Sequence, residues 1–358
     1  MSEGYFRNME SGYNPLEVFI ARYQKEKRVF SLENIKLEEW ESWRLNFRKK
    51  LAELIGLNFF ESSELSPEKL DEQHYPSYTR EKIVLRSDPY TLIPTYILVP
   101  EERKGCFPAV IAMHGHGYGK GELVGIWKDG RNRADSCSRG YQKEFALELV
   151  KRGLLVAVPD QSGFGERRVR DDISLGSEQN SCKQLSLWAL MMGTTTMGRR
   201  VWDAMRVIDY LSTRSDVDHS RLGMMGISGG GATTLFTSAL DDRIKVTVVS
   251  GYLNTFRDSV LSIDHCIDNY VPGILRYCEM PDVAALIAPR PLLVESGSKD
   301  ALFPVMSARH AYEQVRRVYT LLNAEDRIEA DFFEGTHEIS GRNAYDFIAK
   351  WFNFLVTG

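Results

Sequence analysis

Ser228 is the residue whose surroundings most clearly suggest covalent chemistry. It lies in Gly226-Ile227-Ser228-Gly229-Gly230, a G-x-S-x-G match between an apolar strand-like run and a helix-like run. In that setting a serine occupies a sharp turn above the edge of a sheet, and the helix that follows favours developing negative charge. A glycine-rich turn with a chance serine is the plainer alternative, and the strand-then-helix context argues against it. A hydroxyl is a weak nucleophile until an imidazole takes its proton. Only His265, His310 and His337 follow Ser228. His310 falls in an amphipathic stretch and reads as a surface or packing residue. His337, in Gly335-Thr336-His337, comes directly after the last apolar run and before the final helical one, where the base belongs. The third member is an acid that orients the base. Asp300 is the acid in the loop after the run 291–295; Glu295, at the end of that run, competes but points into a sheet. Ser228, Asp300 and His337 together would perform acyl transfer to water.

An acyl transferase also needs N–H donors for the oxyanion. The loop His114-Gly115-His116-Gly117 follows the first buried strand, so the backbone N–H groups of His116 and Gly229 are the expected donors. The glycine spacing of this loop does not fit a dinucleotide or phosphate loop. His114 and His116 alternate as metal ligands can, but no third ligand stands near them in sequence. Asp264-His265-Cys266 are too closely spaced to converge on one ion, and a hydrogen-bonding role is the expectation. No cofactor and no metal is expected.

These groups need a scaffold that brings them to one rim. Residues 1–75 read as a helical extension packed on the core, with no strand-like run; Leu37, Trp40, Phe47, Leu51 and Leu54 share one face of a helix that Gly56 ends. Residues 76–358 read as the catalytic domain. It begins with a hairpin over 82–85 and 95–100, and apolar runs at 108–113, 154–159, 221–226, 246–250, 291–295 and 328–333 alternate with helical segments. That alternation predicts an α/β fold with a mostly parallel central sheet flanked by helices, whose chemistry collects at the strands' C-terminal ends. Two insertions, 118–140 and 251–288, are long enough to cover the site. Tyr118 and Trp127 of the first are the candidate substrate contacts; Tyr252, Phe256 and Tyr270 of the second read as lid packing.

The composition excludes other classes. The chain has 358 residues and a net charge of −4, which offers no field for nucleic acid. Its five cysteines form no CxxC pair, so neither a disulfide framework nor a zinc knuckle is expected. No leader-like or membrane-spanning apolar stretch is present, and a cytoplasmic protein is the expectation.

With these residues assembled, the chain resembles the α/β-hydrolase superfamily, and within it the dienelactone-hydrolase-like and acetyl-xylan-esterase-like branch. The resemblance runs from about residue 80 to the end. It rests on His114-Gly115-His116-Gly117, on Asp160-Gln161-Ser162-Gly163-Phe164-Gly165-Glu166, on Gly226 to Gly230, on Ser298-Lys299-Asp300 with Pro304, and on Gly335-Thr336-His337. The segments 264–273 and 288–291 look like members of this branch as well. Dienelactone hydrolases proper carry cysteine where this chain has Ser228, so the resemblance implies a carboxylesterase or carbohydrate deacetylase acting on a small-molecule or carbohydrate ester. It also implies assembly into a homo-oligomer. A peptidase or lactone hydrolase of the same fold, and a non-catalytic binding protein on a hydrolase scaffold, are the alternatives.

Overall fold

The computed structural model describes residues 14–102, 105–127, 130–132, 140–176 and 179–352. Among them nine strands form one sheet: β1 (Glu68–Tyr75), β2 (Tyr78–Asp88), β3 (Thr91–Pro100), β4 (Phe107–Met113), β5 (Leu155–Pro159), β6 (Val217–Ile227), β7 (Ile244–Ser250), β8 (Leu292–Gly297) and β9 (Ile328–Phe333). Their order is β1-β2-β3-β5-β4-β6-β7-β8-β9. β1, β2, β3 and β5 pair antiparallel, and every pairing from β5 through β4 to β9 is parallel. Helices occupy α1 (Glu17–Lys25), α2 (Trp40–Leu54), α3 (Phe145–Val150), α4 (Arg170–Ser174), α5 (Cys182–Met191), α6 (Thr196–Leu211), α7 (Gly229–Leu240), α8 (Met280–Ala285), α9 (Val305–Leu321) and α10 (Ala344–Trp351).

The central strands are apolar on both faces because both faces are covered. Val110, Ala112, Val156, Val158, Met225 and Ile227 share a core with Phe145 of α3 and Ile348 of α10. Their neighbours Ala109, Ile111, Leu155, Ala157 and Met224 point the other way, onto Ala204, Val207 and Ile208 of α6. A third cluster joins Trp40, Phe47 and Leu51 of α2 to Leu235 and Phe236 of α7 and to α8 and α9. Phe47 and Leu51 are fully buried there, each contributing about 2–3 kcal/mol. Helix α2 is therefore part of the wall behind the Ser228 helix.

Two sequence expectations change. Residues 68–75 are not part of a helical extension but form edge strand β1, paired to β2 from Glu68↔Val84 to Tyr75↔Tyr78. Nearly every side chain of β1 is exposed, so the alternation that marks a half-buried strand is missing from its sequence. The helix expected from Leu37 starts later: Leu37–Glu39 is a 3₁₀ turn, and Leu37 is exposed instead of sharing the buried face. Gly56 does supply the stop, at φ 70°. Of the insertion 118–140, only Tyr118–Trp127, 130–132 and Gly140 lie within the described residues; Cys137 lies outside them. Among the described residues no helix is long and apolar enough to cross a membrane.

Candidate active site

Ser228 sits between β6 and α7 with φ 57° and ψ −126°, a conformation that costs a non-glycine residue energy and persists only when its surroundings enforce it. The surroundings are the motif's glycines. A Cβ on Gly230 would lie 2.1 Å from the Met113 carbonyl oxygen, and one on Gly226 would lie 2.3 Å from the Gly230 carbonyl oxygen. Strand and helix thus meet backbone to backbone, which only glycine allows. The Ser228 N–H donates to the Ser250 carbonyl at 3.0 Å and ties the turn to β7.

Asp300 and His337 come from the loops after β8 and β9. Nδ1 of His337 lies 2.7 Å from Oδ2 of the buried Asp300. The other oxygen of Asp300 accepts the N–H groups of Leu302 and Phe303, at 2.8 and 3.0 Å. A carboxylate so bonded only accepts, so Nδ1 carries the proton and Nε2 is left with a lone pair. That Nε2 is buried and has no hydrogen-bond partner among the described residues. The imidazole is held nearly parallel to two rings, Tyr141 at 5.5 Å between centroids and Phe303 at 5.7 Å. Glu295, the sequence competitor, is buried elsewhere: it accepts the Ser250 hydroxyl and the Gly341 N–H, and burial pushes its carboxyl up.

Glycine positions show that these groups share one rim. A Cβ on Gly115 would lie 3.1 Å from the Ser228 Cβ and 2.2 Å from the Tyr141 hydroxyl, and one on Gly251 would lie 3.1 Å from the His337 ring. Among the described residues the N–H groups of His116 and Gly229 have no acceptor. The loop carrying His116 is held from several sides. Tyr141 donates to the His116 carbonyl at 2.6 Å, and the Gly115 N–H donates to Gln142 at 2.7 Å. His114 is buried and neutral, its imidazole lowered to about 4 by burial; its Nε2 accepts the Gln161 N–H at 3.0 Å. Asp160 anchors the next turn through the Lys120 ammonium at 2.6 Å and the Glu166 N–H at 3.0 Å.

The His116 side chain has a setting the sequence reading overlooked. Its Nε2 lies 3.3 Å from Oδ2 of Asp268, which also pairs with Arg200 at 2.7 Å. Cys182 and Cys266 complete a group of four potential ligands whose donor atoms all lie within 4.8 Å of one another. Burial works against the charged imidazole, but Asp268 and Cys266 outweigh it and raise His116 to about 9. Hydrogen bonding from Cys182 lowers Cys266 to about 6 and raises Cys182 itself. The sequence reading saw no third ligand near His114 and His116, and chain distance is what hid Cys182, Cys266 and Asp268 from it. Of Asp264-His265-Cys266, only Cys266 joins the group.

The remaining candidates are placed less tellingly. Tyr118 and Trp127 are half-buried in the first insertion. Tyr252 and Phe256 are almost wholly buried, as lid packing requires. Sequence reasoning missed Tyr141, Phe303, Arg200, Cys182 and Asp268; the position of Phe303 three residues after Asp300 was the one available hint. A cavity of about 920 Å³ beside Tyr23, Trp43, Glu279 and Asp282 is lined by none of the residues around Ser228.

Residues 19–346 match the model of the Abhydrolase family. YtaP of Bacillus subtilis (strain 168), a hydrolase by inferred assignment, is 29% identical over 320 residues, which cover 86% of this chain and 99% of YtaP. The crystal structure of a Bacteroides fragilis NCTC 9343 protein, BF1801, assigned by inference as an acetyl xylan esterase, superposes with a TM-score of 0.77 at 18% identity over 96% of this chain and 91% of that one. A glucuronoyl esterase from Solibacter usitatus superposes with a TM-score of 0.64 at 15% identity over 92% of this chain and 98% of that one. At such identities the structural likenesses establish a shared fold.

Proposed function

The chain belongs to the Abhydrolase family, and from that premise we propose that it hydrolyses carboxylic esters through an acyl-enzyme on Ser228. His337 Nε2 takes the Ser228 proton as the hydroxyl oxygen attacks the ester carbonyl, and the N–H groups of Gly229 and His116 receive the oxyanion. Collapse of the tetrahedral intermediate expels the alcohol, protonated by His337. Water activated by the same imidazole then attacks the acyl-enzyme, and Ser228 leaves with its proton restored. Asp300 fixes the tautomer and stabilises the imidazolium. The observation that carries this reading is the His337 imidazole, whose Nδ1 is committed to Asp300 while Nε2 is left without a partner.

Carbohydrate esters are the proposed substrate class, because an acetyl xylan esterase assigned by inference and a glucuronoyl esterase share this fold. Tyr118 and Trp127 are the proposed sugar contacts. Fluorophosphonate labelling of Ser228, followed by comparison of acetylated xylo-oligosaccharides with glucuronate esters and peptide anilides, tests the reading. An unlabelled Ser228 in folded protein would overturn it.

A further inference from the structure

We propose that His116, Cys182, Cys266 and Asp268 form a structural zinc site that clamps the His116 loop to the insertion 251–288. The four residues come from distant parts of the chain: the loop after β4, the first turn of α5, and the segment 266–268. Nitrogen, two sulfurs and a carboxylate oxygen make the donor set that Zn²⁺ takes in tetrahedral sites. The 3.3 Å between His116 Nε2 and Asp268 Oδ2 matches the roughly 3.4 Å that two such ligands span across a tetrahedral zinc. Moreover, that Nε2 is buried and meets Asp268 as a charge contact without hydrogen-bond geometry, an arrangement in which both atoms can face a common third one. With donor atoms all within 4.8 Å of one another, and ligand atoms about 3.4–3.8 Å apart in a tetrahedral zinc site, the ligands need close in by little more than about 1 Å.

Arg200 looks like an obstacle, since its guanidinium lies 2.7 Å from Asp268 and 3.3 Å from the Cys182 sulfur. Charge counting removes it. Two thiolates and one carboxylate give −3, Arg200 gives +1, and Zn²⁺ brings the buried group to zero. The metal-free group is also neutral once two protons replace the ion, so uptake exchanges two protons for one Zn²⁺ without burying net charge. Arg200 then donates to ligand atoms from outside the ion, as second-shell donors do. All four positions are filled by protein, which leaves no place for a metal-bound water and makes the role structural.

Binding itself does not depend on the esterase reading; only its consequence for the His116 N–H rests on it. The full-length, untagged chain, purified in reductant without chelator, is expected to carry about one zinc by elemental analysis. Cobalt added to the demetallated protein is expected to give thiolate charge-transfer and strong tetrahedral ligand-field bands. Cys182→Ser and Cys266→Ser, made singly so that one poorly folding variant does not decide the matter, are each expected to weaken or abolish the cobalt spectrum. A wild-type protein free of zinc that gives only the pale octahedral cobalt spectrum would overturn the proposal. So would a Cys182–Cys266 disulfide found by mass spectrometry in freshly reduced and re-isolated protein. Neither result bears on fluorophosphonate labelling of Ser228.

Discussion

The hydroxyl of Tyr141 donates a 2.6 Å hydrogen bond to the carbonyl of His116 while its ring lies 25° from the plane of the His337 imidazole. One side chain thus braces both the proposed oxyanion loop and the proposed base. Tyr141→Phe retains the ring and removes only the bond. The expected result is a 5- to 30-fold fall in kcat/KM on p-nitrophenyl acetate, about 1–2 kcal/mol, with little change in Tm. An unchanged rate would show that the loop holds its position without this bond.

Removing the reacting groups has a larger expected effect. Ser228→Ala leaves the glycine-framed turn intact and deletes the nucleophile, so turnover is expected to drop by about 10⁴-fold or more while the circular dichroism spectrum is kept. Asp300→Asn is expected to cost on the order of 10⁴-fold in kcat, because an amide at 2.7 Å can donate to Nδ1 and turn the imidazole into the wrong tautomer. Wild-type turnover in either variant sinks the corresponding assignment.

The glycine framework predicts a pair of contrasting substitutions. A methyl group at Gly230 collides with backbone at 2.1 Å, whereas one at Gly121 meets its nearest atom at an ordinary 3.5 Å. Gly230→Ala is expected to lower stability by about 1–3 kcal/mol and to disable labelling of Ser228, while Gly121→Ala stays within about 0.5 kcal/mol of wild type. Urea unfolding of both variants decides it. Equal stabilities would mean that the contact of β6, α7 and β4 can spread apart at little cost.

Much of this site was legible in the sequence because its parts sit at the ends of strongly patterned elements. Six strands announced themselves as largely apolar runs, and the loops after three of them carried Ser228, Asp300 and His337. β1 escaped because an exposed edge strand buries nothing and so needs no apolar face. The His116 cluster escaped for a different reason. Cys182, Cys266 and Asp268 converge through the packing of α5 against the segment 267–269, and that packing has no local period to read. Tyr141 was hidden too, and Phe303 was hinted at only by its place three residues after Asp300, since stacking on His337 depends on where loops meet in space.

Asp282 gives a prediction about pH that is independent of catalysis. It stands in the first turn of α8, where its carboxylate accepts the Glu279 N–H at 2.6 Å and the Leu32 N–H at 2.9 Å, joining the N-terminal segment to the second insertion. Burial is the largest influence and pushes its carboxyl from 3.8 up to about 7. The folded state therefore holds this proton more tightly than the unfolded chain. The stability it contributes is complete below pH 3.8 and is lost as pH rises through 7. Between pH 5 and pH 8 the expected loss is about 2.5 kcal/mol. Asp282→Asn keeps a carbonyl oxygen for one of the two N–H groups and cannot ionise. Urea unfolding at both pH values is expected to show wild type losing stability relative to this variant on going to pH 8, and parallel pH profiles would show that the carboxyl is already ionised in the folded protein at pH 5.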